Sequence, residues 1–136
     1  MRNTFIQKIY YADTDAYGVV WHGAYLRWME KGRCDFCEDL GFNLVELVKQ
    51  DIALPVANMN VKFKASAKLN DKLVVETWIS KLTPLSVTFS QSIKNTTPRS
   101  RCRIVCVSLL SLRACATSGA FDALPPPAWL TFLRNA

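Results

Sequence analysis

A short stretch of the chain, residues 11–25, concentrates the side chains that can do acid–base or nucleophilic chemistry. Asp13 and Asp15 lie in a turn-prone segment, and Gly18 and the single histidine, His22, follow them. A helix is expected to begin near His22, and a helix start carries unpaired backbone N–H groups and about half a positive charge. Such a site can stabilise a developing oxyanion, while a nearby carboxylate acts as general base or nucleophile towards a carbonyl.

The same residues also fit purely structural roles, and their spacing alone leaves both interpretations open. Asp13 and Asp15 can close turns or cap a helix through their side-chain oxygens, and Gly18 can supply a tight turn. A lone histidine such as His22 is more often structural than catalytic.

The elements that must position this stretch follow from the hydrophobic pattern. Residues 4–11 are typical of a strand. From about His22 to Leu40, apolar residues recur every three or four positions, which predicts a long helix, and Gly41 is its expected end. Asn43 is expected to cap a short second helix over residues 44–49.

The remainder of the chain indicates antiparallel sheet. Strands are predicted near residues 57–65, 73–81, 85–93 and 101–110, the first of them half-buried because apolar and polar residues alternate along it. Short turns, at Asn70 and at Pro84 among others, are expected to pair consecutive strands. The predicted fold is α+β, with a curved sheet wrapped around the long helix, and no repeat or linker divides it.

Composition narrows the classes of partner. The chain has 136 residues, enough for one domain, and a net charge of +6. Residues 1–76 hold ten basic and ten acidic side chains, whereas residues 77–136 hold seven basic ones and one acidic one, Asp122. This asymmetry indicates an anionic partner, such as a phosphate-bearing ligand, an anionic lipid or a nucleic acid.

Location and metal chemistry are judged from the apolar runs and the cysteines. No run reaches the ~20 apolar residues of a membrane span, and the start lacks a signal-peptide pattern. Five cysteines then indicate reduced cytosolic thiols, so we expect a cytoplasmic protein. Cys34 and Cys37 form a C-x-x-C, but no second such pair is present, and we expect core thiols rather than a metal site.

Residues 8–25, KIYYADTDAYGVVWHGAY, resemble the signature of the 4-hydroxybenzoyl-CoA thioesterase family of hotdog-fold enzymes. The matching features are an Asp, two spacers, a Gly, two aliphatic residues, a His or aromatic position and a final aromatic. The likeness extends more loosely over residues 4–112. It implies one hotdog domain over residues 1–112, a helix wrapped by a five-stranded antiparallel sheet, followed by a tail, residues 113–136, of uncertain structure.

The resemblance also implies roles for individual residues. Asp15 is the catalytic carboxylate, and backbone amides near His22 and Gly23 form the oxyanion hole; His22 is the second catalytic candidate. The remaining residues assigned to the oxyanion and substrate site are Gly18, Trp21, Tyr25, Met59 and Phe63, of which the four large ones are expected to form an apolar pocket.

The phosphates of CoA need cationic partners, and the sequence offers two groups. Members of the family that act on 4-hydroxybenzoyl-CoA carry a basic run at the hairpin corresponding to residues 83–85; here it is absent, and Lys81 is the nearest cation. Arg99, Arg101 and Arg103 alternate, so on an extended chain they point the same way. They form either a solvated edge or a phosphate-binding patch.

The function expected from the resemblance is hydrolysis of an acyl-CoA thioester, or of an acyl carrier protein thioester, to the free acid. No metal or redox cofactor and no nucleic acid partner are expected. The family pattern implies a homodimer or a dimer of dimers, a homotetramer, with sites at subunit interfaces. The alternative is a non-enzymatic hotdog protein that binds acyl groups or serves as a scaffold.

Overall fold

The computed structural model describes residues 1–41, 43–98, 103–113 and 115–116. Within these ranges, both α-helices lie between the first strand and the remaining strands in the sequence. In order, the elements are β1 (Asn3–Lys8), a 3₁₀ turn (Tyr11–Asp13), α1 (His22–Asp39), α2 (Leu44–Lys49), β2 (Ile52–Ala53), β3 (Val56–Phe63), β4 (Lys72–Thr83), β5 (Ser86–Asn95), β6 (Arg103–Arg113) and β7 (Cys115–Ala116). The expected α+β hotdog architecture is confirmed, with α1 as its main helix and a five-stranded antiparallel sheet.

The two helices form where the sequence pattern places them. Helix α1 ends at Asp39, and Gly41 beyond it has φ +74°, a left-handed conformation that glycine adopts without cost. The Asn43 side chain accepts a hydrogen bond from the Val45 amide at 2.8 Å, so it caps α2 as expected.

The strand order differs from the expected pairing of consecutive strands. The sheet order is β1-β4-β5-β6-β3, so β3 pairs with β6 and not with β4. The connection between β3 and β4, residues 64–71, is too long for a tight hairpin. Its backbone groups form hydrogen bonds with other parts of the chain. The amides of Lys64 and Ala65 donate to the Val105 carbonyl, and the Ala67 carbonyl accepts from the Val20 amide. The chain therefore crosses from one edge of the sheet towards the loop before α1.

The position of β3 at a sheet edge also explains why its predicted half-buried pattern is wrong. Every residue of β3 is exposed except Val61, which is partly buried. The alternation of apolar and polar residues along an edge strand marks the face that another surface can cover. Within a single chain, α1 covers only part of β3.

Helix α1 comes close to the sheet at Gly32. A Cβ at this position would lie 2.6 Å from Thr77 Oγ1 and 3.2 Å from Gln91 Nε2. Gln91 Nε2 donates to Thr77 Oγ1 at 2.9 Å and to the Met29 carbonyl at 2.8 Å, joining sheet and helix. A side chain of any size at residue 32 therefore moves the helix or breaks these bonds.

The same amide stabilises a charge inside the interface. Gln91 Oε1 accepts a hydrogen bond of 3.0 Å from the guanidinium of Arg33, a buried residue of α1. Burial lowers the pKa of Arg33 from its ordinary value. The apolar core divides around this polar layer into one cluster containing Phe36 and Phe89 and another containing Tyr25 and Trp28.

The first residues of the expected tail form part of the folded domain. Strand β6 runs to Arg113, and Cys115–Ala116 pair antiparallel with Ile52–Ala53 as a small second sheet. Residues 117–136 lie outside the described residues. Within the described ranges, no helix combines the length and apolar character required to cross a membrane.

Replacing Gly32 with alanine is expected to destabilise the fold by about 1–3 kcal/mol, because the added methyl overlaps Thr77 Oγ1. The measurement is the free energy of unfolding by denaturant titration. In a Thr77→Ala background the same substitution should cost less, since the nearest obstructing atom is gone. An equal cost in both backgrounds would contradict this account of the close approach.

Candidate active site

The segment before α1 folds back on itself as a narrow loop. Thr14 and Val20 face each other in an antiparallel bridge, and the Asp15 amide donates to the Val19 carbonyl at 2.9 Å. The Trp21 amide donates to the Asp13 carbonyl at 3.1 Å. These bonds place Asp15 at the tip of the loop, with the start of α1 at its base.

Asp13 holds the base of this loop through its side chain. The residue is 5% exposed, and its carboxylate accepts from the Tyr10 amide at 3.0 Å and from Arg27 at 2.7 Å. Arg27 lies on α1, so the ion pair joins the loop to the helix. Asp13 therefore has the contacts of a loop-shaping residue, one of the two interpretations that its spacing left open.

Asp15 lies exposed at the tip, with part of its carboxylate already used. Its Oδ1 accepts from the Tyr17 amide at 2.8 Å, an Asx turn, and its carbonyl accepts from the Gly18 amide at 3.0 Å. Gly18 has φ +72°, which fits its expected role in a tight turn. The second carboxylate oxygen has no hydrogen-bond partner among the described residues, so Asp15 combines a turn role with a free acceptor.

The start of α1 offers the backbone donors that an oxyanion requires. The Ala24 amide donates to the Trp21 carbonyl, whereas the described part of the chain supplies no acceptor for the amides of His22 and Gly23. The Trp21 ring lies over Gly23, where a Cβ would come within 2.1 Å of it. Glycine at this position lets the indole lie directly against the helix backbone.

A cleft of about 370 Å³ opens beside this helix start. Its lining is mostly apolar and consists of Val20, His22, Tyr25, Phe63, Ala65 and Ser66. The Tyr25 ring packs against Phe63, with centroids 5.6 Å apart, and is itself almost wholly buried. Burial raises the pKa of the Tyr25 hydroxyl to about 12, so this group stays protonated at neutral pH.

The cleft brings together only some of the residues singled out by sequence. His22, Tyr25 and Phe63 line it, whereas Trp21 lies outside its lining, over Gly23. Met59 lies four residues before Phe63 on β3 and does not line it either. The roles of all these residues in catalysis or binding stay predictions.

Ser66 is the polar residue of the cleft that sequence reasoning missed. It lies in the crossing segment, where the Val20 amide bonds the neighbouring Ala67 carbonyl and Lys68 pairs with Val19. Nothing in the spacing of residues 63–71 indicates this contact. It becomes visible only once the connection is known to run beside the loop.

The basic residues predicted to hold CoA phosphates do not lie together in one chain. Lys81 pairs with Thr88 near the hairpin end of β4, nine residues from Lys72, or roughly 30 Å along the strand. Arg103 begins β6 at the other end of the sheet, where Asn95 faces it. Arg99 and Arg101 lie outside the described residues.

A second, more enclosed cavity of about 120 Å³ lies at the far half of α1. Aliphatic residues and Phe89 form most of its lining, together with Glu30, Arg33, Cys34 and Cys37. Burial raises the pKa of the Cys37 thiol to about 12 and also raises that of Cys34, so both thiols are protonated and weakly nucleophilic at neutral pH. The thiols of this cavity are therefore not activated nucleophiles.

Comparisons with known proteins find similarity over most of the chain. The model of the thioesterase superfamily matches residues 17–102, a region that begins just after Asp15. Acyl-CoA thioesterase YbgC of Haemophilus influenzae is 32% identical over 117 residues, covering 83% of this chain and 86% of that protein. Putative acyl-CoA thioesterase YneP of Bacillus subtilis is 34% identical over 88 residues, covering 65% of this chain and 64% of its own.

Solved structures share the fold. The 4-hydroxybenzoyl-CoA thioesterase of Pseudomonas sp. strain CBS-3 superposes with a TM-score of 0.84 at 25% identity, covering 97% of this chain and 98% of its own. A 1,4-dihydroxy-2-naphthoyl-CoA thioesterase from Synechocystis gives a TM-score of 0.84 at 21% identity, covering 99% of this chain and 97% of its own.

The buried hydroxyl of Tyr25 makes stability depend on alkaline pH. The folded state holds this proton up to about pH 12, whereas the unfolded chain releases it near 10.0, so its contribution is complete below pH 10 and is lost as the pH rises towards 12. Tyr25→Phe should therefore lose less stability over this window than the unsubstituted protein. Unfolding free energies measured across it test this, and parallel curves for the two proteins would contradict it.

Proposed function

Because this chain belongs to the thioesterase superfamily, we propose that it hydrolyses acyl-CoA thioesters to a free carboxylic acid and CoA. One observation of the site carries the proposal: two backbone amides without acceptors among the described residues, those of His22 and Gly23, start a long helix beside the loop that presents Asp15. A donor pair and a carboxylate are the groups that thioester hydrolysis uses.

In the proposed reaction the thioester carbonyl oxygen accepts hydrogen bonds from these two amides. Charge that develops on this oxygen is stabilised by the amides and by the positive end of the helix dipole. The carboxylate of Asp15 then either removes a proton from an attacking water or attacks the carbonyl itself to form a mixed anhydride that water hydrolyses. By either route the CoA thiolate leaves, takes up a proton, and the acyl group becomes a carboxylic acid.

The mostly apolar lining of the cleft suits an apolar acyl group. Val20, Phe63 and Ala65 contribute aliphatic and aromatic surface, and the protonated Tyr25 adds a buried ring. Burial of such an acyl group against these side chains releases ordered water and favours binding by about 25 cal/mol for each Å² of apolar area.

We further propose that the protein acts as a homodimer joined along β3. This strand ends the sheet and exposes three large apolar residues, Val56, Met59 and Phe63, by 51%, 39% and 50%. An edge strand with such residues is prone to pair with another chain. Because Phe63 also lines the cleft, a second copy on this edge would lie beside the site.

A non-enzymatic acyl-binding protein is the second candidate, and the turn at Asp15 favours it. The Asp15 carboxylate stabilises its own loop through the Tyr17 amide, a role that accounts for an aspartate here without catalysis. Hydrolysis and simple acyl binding predict different effects when Asp15 is replaced by an uncharged residue of the same shape.

Asp15→Asn is expected to lower kcat for acyl-CoA hydrolysis by a factor of about 100 or more, the scale for losing a catalytic base. The asparagine Oδ1 can still accept from the Tyr17 amide, so the loop and the thermal midpoint should be kept. Thiol release from a panel of acyl-CoAs provides the measurement.

The matched control is Glu38→Gln, the same change of carboxylate to amide at an exposed residue near the far end of α1. It should leave kcat unchanged. Full activity of Asp15→Asn would remove Asp15 from the mechanism, and a wild-type protein that binds acyl-CoA without releasing thiol would favour the acyl-binding alternative.

Met59→Lys is expected to shift the protein from dimer to monomer, because it places a charge at the proposed junction of two β3 strands. Light scattering after size exclusion measures the mass. Ile6→Lys is the control, since Ile6 is 71% exposed on β1, the opposite edge strand. A wild-type monomer, or loss of the dimer only with Ile6→Lys, would contradict pairing through β3.

A further inference from the structure

The cavity at the far half of α1 contains a buried positive charge. Arg33 is 9% exposed and lines this space of about 120 Å³, together with Glu30, the second charged residue of the lining. Most of the remaining wall is apolar and includes Leu54, Val87, Phe89 and Leu112. The cavity therefore places one buried cation at the side of an apolar interior.

The guanidinium of Arg33 has few partners for a buried charge. It donates to Gln91 Oε1, a neutral acceptor, at 3.0 Å, and this is its only hydrogen bond within the described residues. A guanidinium carries five N–H donors, so most of them are unused. The unused nitrogens are not sealed off, because the fully enclosed side-chain atoms without a partner in the described ranges belong to Asn3, Tyr25 and Ser108.

No carboxylate in the described part of the chain neutralises this charge. Glu30 lies one turn before Arg33 on α1, a spacing that allows an ion pair, yet no acidic oxygen lies within 4.0 Å of the guanidinium. Glu30 is exposed, whereas burial lowers the pKa of Arg33. A buried charge without an opposite charge is costly, and an anion in the cavity would offset this cost.

This cavity is separate from the cleft beside the Asp15 loop. The two spaces share no lining residue. Arg33 also lies eleven residues after His22, or roughly 16 Å along α1. Within one chain, a group held by Arg33 is therefore out of reach of the backbone amides at the start of the helix.

We propose that this cavity binds a small organic carboxylate, with its carboxylate on the Arg33 guanidinium and its apolar tail against the aliphatic wall. A guanidinium and a carboxylate form two parallel charge-assisted hydrogen bonds. A cavity of about 150 Å³ can hold benzene, so one of about 120 Å³ suits a somewhat smaller molecule, such as butyrate. Short acids released by the proposed reaction belong to this class, but the site is defined by Arg33 and does not depend on that reaction.

The test is calorimetric titration at neutral pH with butyrate and with butyramide, a neutral molecule of almost the same shape. Butyrate should bind at one site per chain. Butyramide should bind about tenfold more weakly or worse, because it cannot form the ion pair. Acetate should also bind more weakly than butyrate, since it leaves much of the apolar wall uncovered.

Two variants remove the two halves of the site. Arg33→Met keeps an unbranched side chain without the charge, and Leu54→Trp keeps Arg33 but fills the cavity. Each should weaken butyrate binding about tenfold or more. Arg33→Met also removes the donor to Gln91 and can disturb the fold, so Leu54→Trp, at a partly buried residue, provides an independent measurement.

Lys31→Gln is the matched control. It removes a positive charge from α1 at an exposed residue that is paired with Asp35 and lies outside the cavity lining. Its affinity for butyrate should equal that of the unsubstituted protein. Glu30→Gln should bind butyrate at least as tightly, because it removes a negative charge from the lining.

Amide NMR spectra show where the ligand lies: butyrate should shift the signals of residues 33–37 and leave those of residues 22–25 in place. The carboxylate site is overturned by an unsubstituted protein that does not bind butyrate, by equal affinity for butyrate and butyramide, or by undiminished binding in Arg33→Met or Leu54→Trp. Shifts confined to residues 22–25 would also overturn it. None of these measurements requires thioester hydrolysis, so failure of the proposed function leaves the site standing, and failure of the site leaves the proposed function standing.

Discussion

The candidate site depends on one buried carboxylate, that of Asp13. It accepts a hydrogen bond from the Tyr10 amide before the loop and forms an ion pair with Arg27 after it, so both ends of the loop are held to the same group. The charge is almost fully buried while Arg27 remains largely exposed. Removing Arg27 would therefore leave a buried charge with a single amide donor, which is costly. This ion pair holds the loop against α1. The tip of the loop, which carries Asp15, therefore stays on the side of the molecule where α1 begins.

A second constraint sets where that helix start lies. Gly32 allows α1 to approach the sheet closely, and Gln91 bonds to the helix backbone and to Arg33 at the point of contact. A helix held at its middle cannot slide along the sheet, so its first residue lies at one end of the strands. The crossing segment, residues 64–71, reaches that same end and covers the loop with its backbone hydrogen bonds. The cleft is the space left between these two elements.

Local patterns predicted the helices well, because their ends depend on nearby residues. Gly41 ends α1 through its own backbone conformation, and Asn43 caps α2 through one side-chain bond. Strand pairing depends on contacts distant in the sequence, and for that reason the expected partner of β3 was wrong. The burial of Arg33 was equally invisible, since its acceptor lies 58 residues away on β5. Asp15 was found by its motif, whereas Ser66 needed the three-dimensional path of the crossing segment.

The charge of the chain shows the same difference between sequence and structure. By sequence, all of the +6 excess falls in residues 77–136, while residues 1–76 are balanced. That balance does not describe how the charges are arranged, because the acidic residues of the first part lie largely on the helices and in the loops, and several of them, such as Asp13, Asp35 and Glu46, are paired with cations. An anion responds to the local field within about 10 Å, the distance at which salt screens charges. The charge balance of a segment therefore does not decide where an anion binds, and a cation already paired within the fold, such as Lys31 or Lys94, contributes less to that field than an unpaired one.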